Sequence, residues 1–249
     1  MTIVPGEHPT PAPSPAHPYL DELAAALTRA RAANGPSLNE AAGIVAQVVA
    51  RDGIVYVFGS GHSQLAALEL SRRAGSIAAL QVIFDPSWGA AEHLEGYGEV
   101  LVGDQPPGPA DCFIAISHSG NTATAIDIAR RVRAAGTPVI AVTSVSASRR
   151  AEARHSSGMK LSQLADVVLD DGAAGADPGI EVDGLAERVG PTSTLVAAAL
   201  LHEVVVDAVG RLAARGYVAP VWRPNSAEGG TLHNELLADR FRGRIRIVP

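Results

Sequence analysis

The stretch Cys112-Phe113-Ile114-Ala115-Ile116-Ser117-His118-Ser119-Gly120-Asn121-Thr122 reads as an apolar run followed by an abrupt polar turn. A helical pattern over Thr122 to Ala135 comes next. A short, continuously apolar run bounded by a turn fits a strand covered on both faces. The same order recurs on either side. Ile54 to Phe58 leads into Gly59-Ser60-Gly61-His62-Ser63 and a helical stretch over Ser63 to Ala74. Leu80 to Phe84, Val139 to Val142 and Val167 to Leu169 complete five β-rich runs separated by helical segments. Such alternation predicts an α/β fold on a parallel sheet. In such sheets ligands bind in the loops that leave the carboxyl ends of the strands.

Further out, the pattern is simpler. Residues 1 to 18 hold Pro5, Pro9, Pro11, Pro13, Pro15 and Pro18, which predicts a disordered tail ahead of one domain over residues 19 to 249. Leu20, Leu23, Ala24 and Leu27 start a helix that Asn34-Gly35-Pro36 is expected to end, with Ser37 capping a second helix to about Arg51. A long helix is expected from about Thr192 to Arg215, with Pro191 before it and Gly216 after, and a short one over Leu232 to Phe241.

The chain has 249 residues, 47% of them apolar, which suffices for an independent core and excludes disorder as the dominant state. Its net charge of −6 gives no global field for nucleic acid or an anionic membrane. No apolar stretch reaches the roughly 18–20 residues that span a bilayer, and the N-terminus lacks the basic start and apolar core of a signal peptide. A cytoplasmic location is therefore expected. The single cysteine, Cys112, excludes an intrachain disulfide and a cysteine-based zinc cluster, and reads as a small buried hydrophobe. Lys160 is the one lysine, so a Schiff-base or phosphate-loop lysine has a single candidate.

Two loops concentrate chemistry. In Gly59-Ser60-Gly61-His62-Ser63 the glycines allow close approach to a ligand, and free amides at a helix start favour an anion. A dinucleotide fingerprint would need glycine where Gln64 stands, although Asp85 ends the second strand where a ribose-binding acid would sit. Ser117-His118-Ser119-Gly120-Asn121-Thr122 packs hydroxyl and amide donors densely enough to hold a phosphate without a cation. Thr143 and Ser144 add hydroxyls at the end of the next strand.

Together these loops resemble the sugar isomerase (SIS) domain, whose most specific mark is the Ser-x-Ser-Gly-Asn-Thr element at Ser117 to Thr122. The likeness runs from roughly residue 20 to 245. It is nearest to a bacterial branch marked here by Arg154-His155, Ser157-Gly158, Gly190-Pro191-Thr192-Ser193-Thr194, Gly229-Gly230 and His233-Asn234. The resemblance implies a doubly wound three-layer α/β/α sandwich with a five-stranded parallel sheet, a phosphosugar ligand and a homodimer or higher homo-oligomer. It implies that Ser63, Ser117, Ser119, Asn121 and Thr122 hold the phosphate, with Gly61 and Gly120 supplying backbone and Thr143 or Ser144 nearby. His62 and His118, inside the two loops, are candidates to touch the sugar or its phosphate.

Aldose–ketose isomerisation needs a base at two adjacent carbons, an acid at their oxygens and help with ring opening. Glu69 lies six residues into the helix after Ser63, about 9 Å along its axis, where the resemblance places a catalytic glutamate. Arg72 and Arg73 offer it surface ion pairs instead. His202 falls on a stripe with Thr192, Leu195 and Ala199 and is the second catalytic candidate. His155 and His233 lie in branch-specific segments, and Trp88 and Trp222 have no assigned role. Asp170, Asp171, Asp177, Glu181 and Asp183 do not match a calcium loop and read as a solvated connection. No metal or cofactor is expected. The leading reading is a sugar-phosphate isomerase acting through an enediol. The alternatives are a sugar-phosphate lyase or etherase, a non-catalytic sugar-phosphate sensor (with little room before residue 19 for a DNA-binding unit), and a dinucleotide enzyme.

Overall fold

The computed structural model describes residues 17–104, 106–173 and 177–245. The tail expected over residues 1 to 18 lies outside them except for His17 and Pro18. Pro18 opens the first helix, α1 (Pro18–Ala50), because a proline at the first helical position gives up an N–H that has no intrahelical partner anyway. The chain continues through β1 (Val55–Gly59), α2 (Ser63–Glu69), β2 (Leu80–Ile83), α3 (Tyr97–Val102), β3 (Cys112–Ile116) and α4 (Ala123–Ala134). Then follow β4 (Val139–Thr143), α5 (Val145–Arg150), α6 (Leu161–Leu164), β5 (Val167–Asp170), α7 (Ser193–Ala214) and α8 (Gly230–Arg240). The sequence had not marked the short helices α3, α5 and α6.

All five strands pair in parallel, in the order β2-β1-β3-β4-β5. The order reverses between β1 and β3, which makes that point the topological switch. The pleat sends alternate residues of β3 to two cores. Cys112, Ile114 and Ile116 meet α1, α2 and α7, while Phe113 and Ala115 meet α4 and α6. The architecture is the expected three-layer α/β/α sandwich. Ile126, Ile128 and Val132 of α4 are fully buried, each worth roughly 1.5–3 kcal/mol of apolar transfer.

Two expectations are corrected. Asn34-Gly35-Pro36 does not break α1. Pro36 sits inside it and gives up one backbone bond at a cost of about 3 kcal/mol. Packing outweighs that loss, since Ala26 and Ala30 before the proline and Ala42, Val45 and Val49 after it are buried in one core. Asn34 itself bridges α1 to β5. Its Nδ2 donates to the carbonyls of Ala30 and Asp170, each at 2.7 Å, and its Oδ1 accepts from the Asp170 N–H at 2.7 Å. The second correction concerns α2, which stops at Glu69 rather than Ala74. Arg72 turns to φ +50, and the chain leaves the helix so that Ile77 bridges Val221 and the Ala78 N–H reaches the Pro220 carbonyl at 2.6 Å.

Candidate functional site

The loops after β1 and β3 flank the switch point, and each is built by local hydrogen bonding. Gly59 packs so closely on α2 that a Cβ there would lie 2.5 Å from the Ser63 backbone. Gln64, at the position a dinucleotide fingerprint reserves for glycine, is fully buried. Its Oε1 accepts from the Asp85 N–H at 2.6 Å and its Nε2 donates to the Asp85 carbonyl at 3.2 Å.

Asp85 is also buried, and its carboxylate is occupied. It accepts from the Ser60 hydroxyl at 2.7 Å, from both the N–H and the hydroxyl of Ser87, from the Gly89 N–H and from the Tyr97 hydroxyl. Burial pushes its carboxyl up, but these bonds outweigh burial and hold it below the ordinary carboxylate value. Asp85 therefore fastens the first loop to β2 and has no lone pair left for a ribose.

The second loop presents its donors differently. Gly120 takes φ +65, where a Cβ would crowd the Ser148 and Thr143 hydroxyls at 3.0 Å. The hydroxyls of Ser117 and Thr122 meet at 2.8 Å, and Ser119, exposed at the loop tip, accepts from the Asn121 N–H at 3.2 Å. Asn121 is 4% exposed, and its Nδ2 has no hydrogen-bond partner among the described residues. Buried amides are ordinarily satisfied; among the described residues this Nδ2, beside the start of α4, and the Ser76 hydroxyl are not. Thr143 and Ser144 serve the loop from beneath. The Thr143 hydroxyl and the Ser144 N–H both donate to the His118 carbonyl, at 3.2 and 3.0 Å, and the Ser144 hydroxyl caps α5.

His118 lies at the mouth of a small cleft shared with Ser63, Asp171, Ser193 and Thr194. Its Nδ1 is 2.5 Å from Asp171 Oδ2. Asp171, expected to be part of a solvated connection, is 2% exposed and lines this cleft. The hydrogen bond to Asp171 raises the His118 ring above its ordinary value, against the opposing effect of burial. Asp177 from the same stretch caps α7 by accepting from the Thr192 N–H at 2.6 Å. Ser193 and Thr194, rather than Thr192, therefore face the cleft from the α7 start. Sequence reading placed Asp171 in a solvated connection and quoted Ser193 and Thr194 only as a mark of the branch, so it did not bring the three together in one cleft.

Glu69 and His202 meet where α2 and α7 pack together, with Glu69 Oε1 3.8 Å from His202 Nε2. Both are partly exposed, and Arg73 also bonds Glu69 Oε1. This contact joins the two catalytic candidates in space without a ligand.

The SIS domain profile matches residues 18–144. A UPF0309 protein of Listeria monocytogenes is 39% identical over 209 residues, covering 84% of this chain and 89% of the relative. A UPF0309 protein of Streptomyces avermitilis is 32% identical over 241 residues, covering 92% and 96%. The chain belongs to the SIS domain family, within its UPF0309 group. The same fold occurs in two solved phosphoheptose isomerases. That of Neisseria gonorrhoeae has a TM-score of 0.52 at 19% identity, over 75% of this chain and 94% of that one. That of Francisella tularensis has a TM-score of 0.54 at 14% identity, over 76% and 94%.

Within this SIS domain the remaining histidines separate by environment. His62 stands at the N-cap position of α2, makes no side-chain capping bond there and is exposed. His155 is buried between Asp127, at 3.0 Å, and the Ser157 hydroxyl, at 2.8 Å, which ties the segment after α5 to α4. His233 Nε2 donates to the Val221 carbonyl at 2.9 Å, fastening α8. Lys160 bonds the Ser148 carbonyl at 2.5 Å and that of Ala151, so the one lysine closes the end of α5. Cys112 is buried as expected, which pushes its thiol up to about 12. No described helix is long and apolar enough to cross a membrane.

Proposed function

We propose that this SIS domain binds a sugar phosphate and interconverts its aldose and ketose forms through an enediol, as a cytoplasmic homodimer needing no metal or cofactor. The observation that carries the reading is the buried, unpartnered Nδ2 of Asn121 at the start of α4. Hydroxyls of Ser63, Ser117, Ser119 and Thr122, the Asn121 amide and backbone N–H groups near Gly61 and Gly120 form the phosphate nest, with His62 and His118 beside the sugar. The helix dipole of α4 adds about 0.3–1 kcal/mol for a dianion.

In this reading a phosphate held there sets the sugar toward the Glu69–His202 contact between α2 and α7. In this reading the Glu69 carboxylate removes the proton from the carbon beside the carbonyl and returns it to the neighbouring carbon. His202 moves the matching proton between the two oxygens, so the step is balanced without an external reactant. The two solved phosphoheptose isomerases that share the fold are consistent with this chemistry.

A thermal-shift screen of sugar phosphates, followed by NMR for deuterium uptake at the carbon next to the carbonyl, tests the proposal. Glu69→Gln is expected to cut turnover by about 10²-fold or more while sparing affinity. Binding of every ligand without deuterium uptake would remove the isomerase claim. One contact favours a second reading, binding without chemistry: Arg73 already occupies Glu69 Oε1. The same uptake experiment separates the two. Light scattering of the full chain checks the dimer, and a strict monomer contradicts it.

A further inference from the structure

The cleft beside the phosphate loop contains an acid–base pair that the reaction above leaves unused. We infer that His118, oriented by Asp171, is the group that opens the sugar ring; the inference rests on the isomerase reading and names a third catalytic residue for it.

Three observations carry it. Asp171 is buried and fixed from two sides, its N–H donating to the Thr143 carbonyl at 3.1 Å and its Oδ1 accepting from the Ala173 N–H at 3.1 Å. Its other oxygen takes the His118 Nδ1, so a carboxylate, which only accepts, assigns the proton to Nδ1 and leaves Nε2 as the basic nitrogen. No hydrogen bond to Nε2 occurs among the described residues, and His118 lines a small cleft together with Ser63, Ser193 and Thr194. The His118 carbonyl is gripped by Thr143 and Ser144, so the residue that carries the ring is anchored as firmly as its partner. A histidine that only packed a loop would need no buried carboxylate fixed beside its Nδ1. The charged groups around the ring are Asp171 in contact and Asp170 and Asp177 farther off, all anionic, and all favour the protonated ring.

The step suits one residue. Nε2 takes the proton of the anomeric hydroxyl, the oxygen lone pair forms the carbonyl, the bond from the anomeric carbon to the ring oxygen breaks, and the ring oxygen receives the same proton back from Nε2. No oxidant, reductant or net proton is required. Asp171 is a positioning residue: it holds the tautomer and stabilises the imidazolium that forms in passing.

Ring opening can be read separately from isomerisation, because it exchanges α and β anomers whether or not a carbon-bound proton moves. Two-dimensional exchange NMR on ribose 5-phosphate and on glucose 6-phosphate, with the full chain added, measures it. Wild type is expected to accelerate anomer exchange of at least one probe, and His118→Gln to cut that acceleration by about 10²-fold. Asp171→Asn is expected to cut it about tenfold and to move the acid limb of the rate–pH profile to lower pH, a change that loss of packing alone does not produce. Thermal melts confirm that each variant is folded. No acceleration by wild type, equal acceleration by His118→Gln, or an unmoved acid limb in Asp171→Asn overturns the inference. Deuterium uptake in the same samples keeps the two claims apart. Anomer exchange without uptake sinks the isomerase reading alone, and uptake with exchange undiminished in His118→Gln sinks ring opening alone.

Discussion

Asn121 pairs with backbone at one end of its side chain and is left buried without a partner at the other. Its Oδ1 accepts from the Arg154 N–H at 3.4 Å, while its Nδ2 is buried without a partner. A donor left in that state is costly until an acceptor arrives, and a hydrogen bond to a charged acceptor is worth about 1.5–3 kcal/mol. Asn121→Ala is therefore expected to weaken sugar-phosphate binding by roughly 10- to 100-fold, measured by calorimetry, with a much smaller change in the apo melting temperature. Ser119→Ala combined with Thr122→Ala is expected to abolish measurable phosphosugar binding, and unchanged affinity in that double variant ends the nest hypothesis. The clustering of hydroxyls and amides in this loop is legible in the sequence because they arrive within six residues of one strand end. Asp171 was not legible, because its only distinguishing contact crosses from β5 to the β3 loop, 53 residues away.

Among the secondary-structure elements, α1 illustrates how packing overrides a local stop signal. Asn, Gly and Pro in succession ordinarily end a helix, but here the asparagine amide finds three partners and the flanking alanines and valines find one core. Asn34→Ala is expected to destabilise the protein by roughly 1–3 kcal/mol, because it strips two bonds to the β5 backbone and leaves half-buried backbone groups of Asp170 without that partner. Chemical denaturation reads that loss directly, and a change below about 0.5 kcal/mol would show that Asn34 is not a latch. The strands were legible almost to the residue, since a doubly covered parallel strand needs an unbroken apolar run. The end of α2 was not, since it is set by the pairing of Ile77 and Ala78 with the chain near Pro220 and Val221.

For the molecule as a whole, stability should pass through a plateau in pH whose two edges belong to the site. Asp85 has a folded value below its ordinary one, so its contribution is complete above the normal carboxylate range near pH 4 and disappears as pH falls through the lower folded value. His118 has a folded value above its ordinary one, so its contribution is complete below about pH 6.5 and disappears as pH rises through the higher folded value. Thermal melts across pH should show both edges. Asp171→Asn should flatten the alkaline edge while leaving the acid edge in place, and an alkaline edge identical to that of wild type would dissociate it from this pair.

The sequence alone determined the layered α/β class, the five strands, the polar loops at their carboxyl ends and the density of phosphate donors after β3. All of these follow from hydrophobic period, glycine placement and short-range hydrogen bonding within a few residues. Only the tertiary structure decided that Asp85 is a fastener rather than a ribose ligand, that α1 runs through a proline, that Glu69 and His202 meet, and that a buried aspartate stands behind His118. Each of these depends on groups distant in the chain sharing one low-dielectric neighbourhood, where unmet polar atoms are expensive and the available partners are set by the packing of the whole sheet.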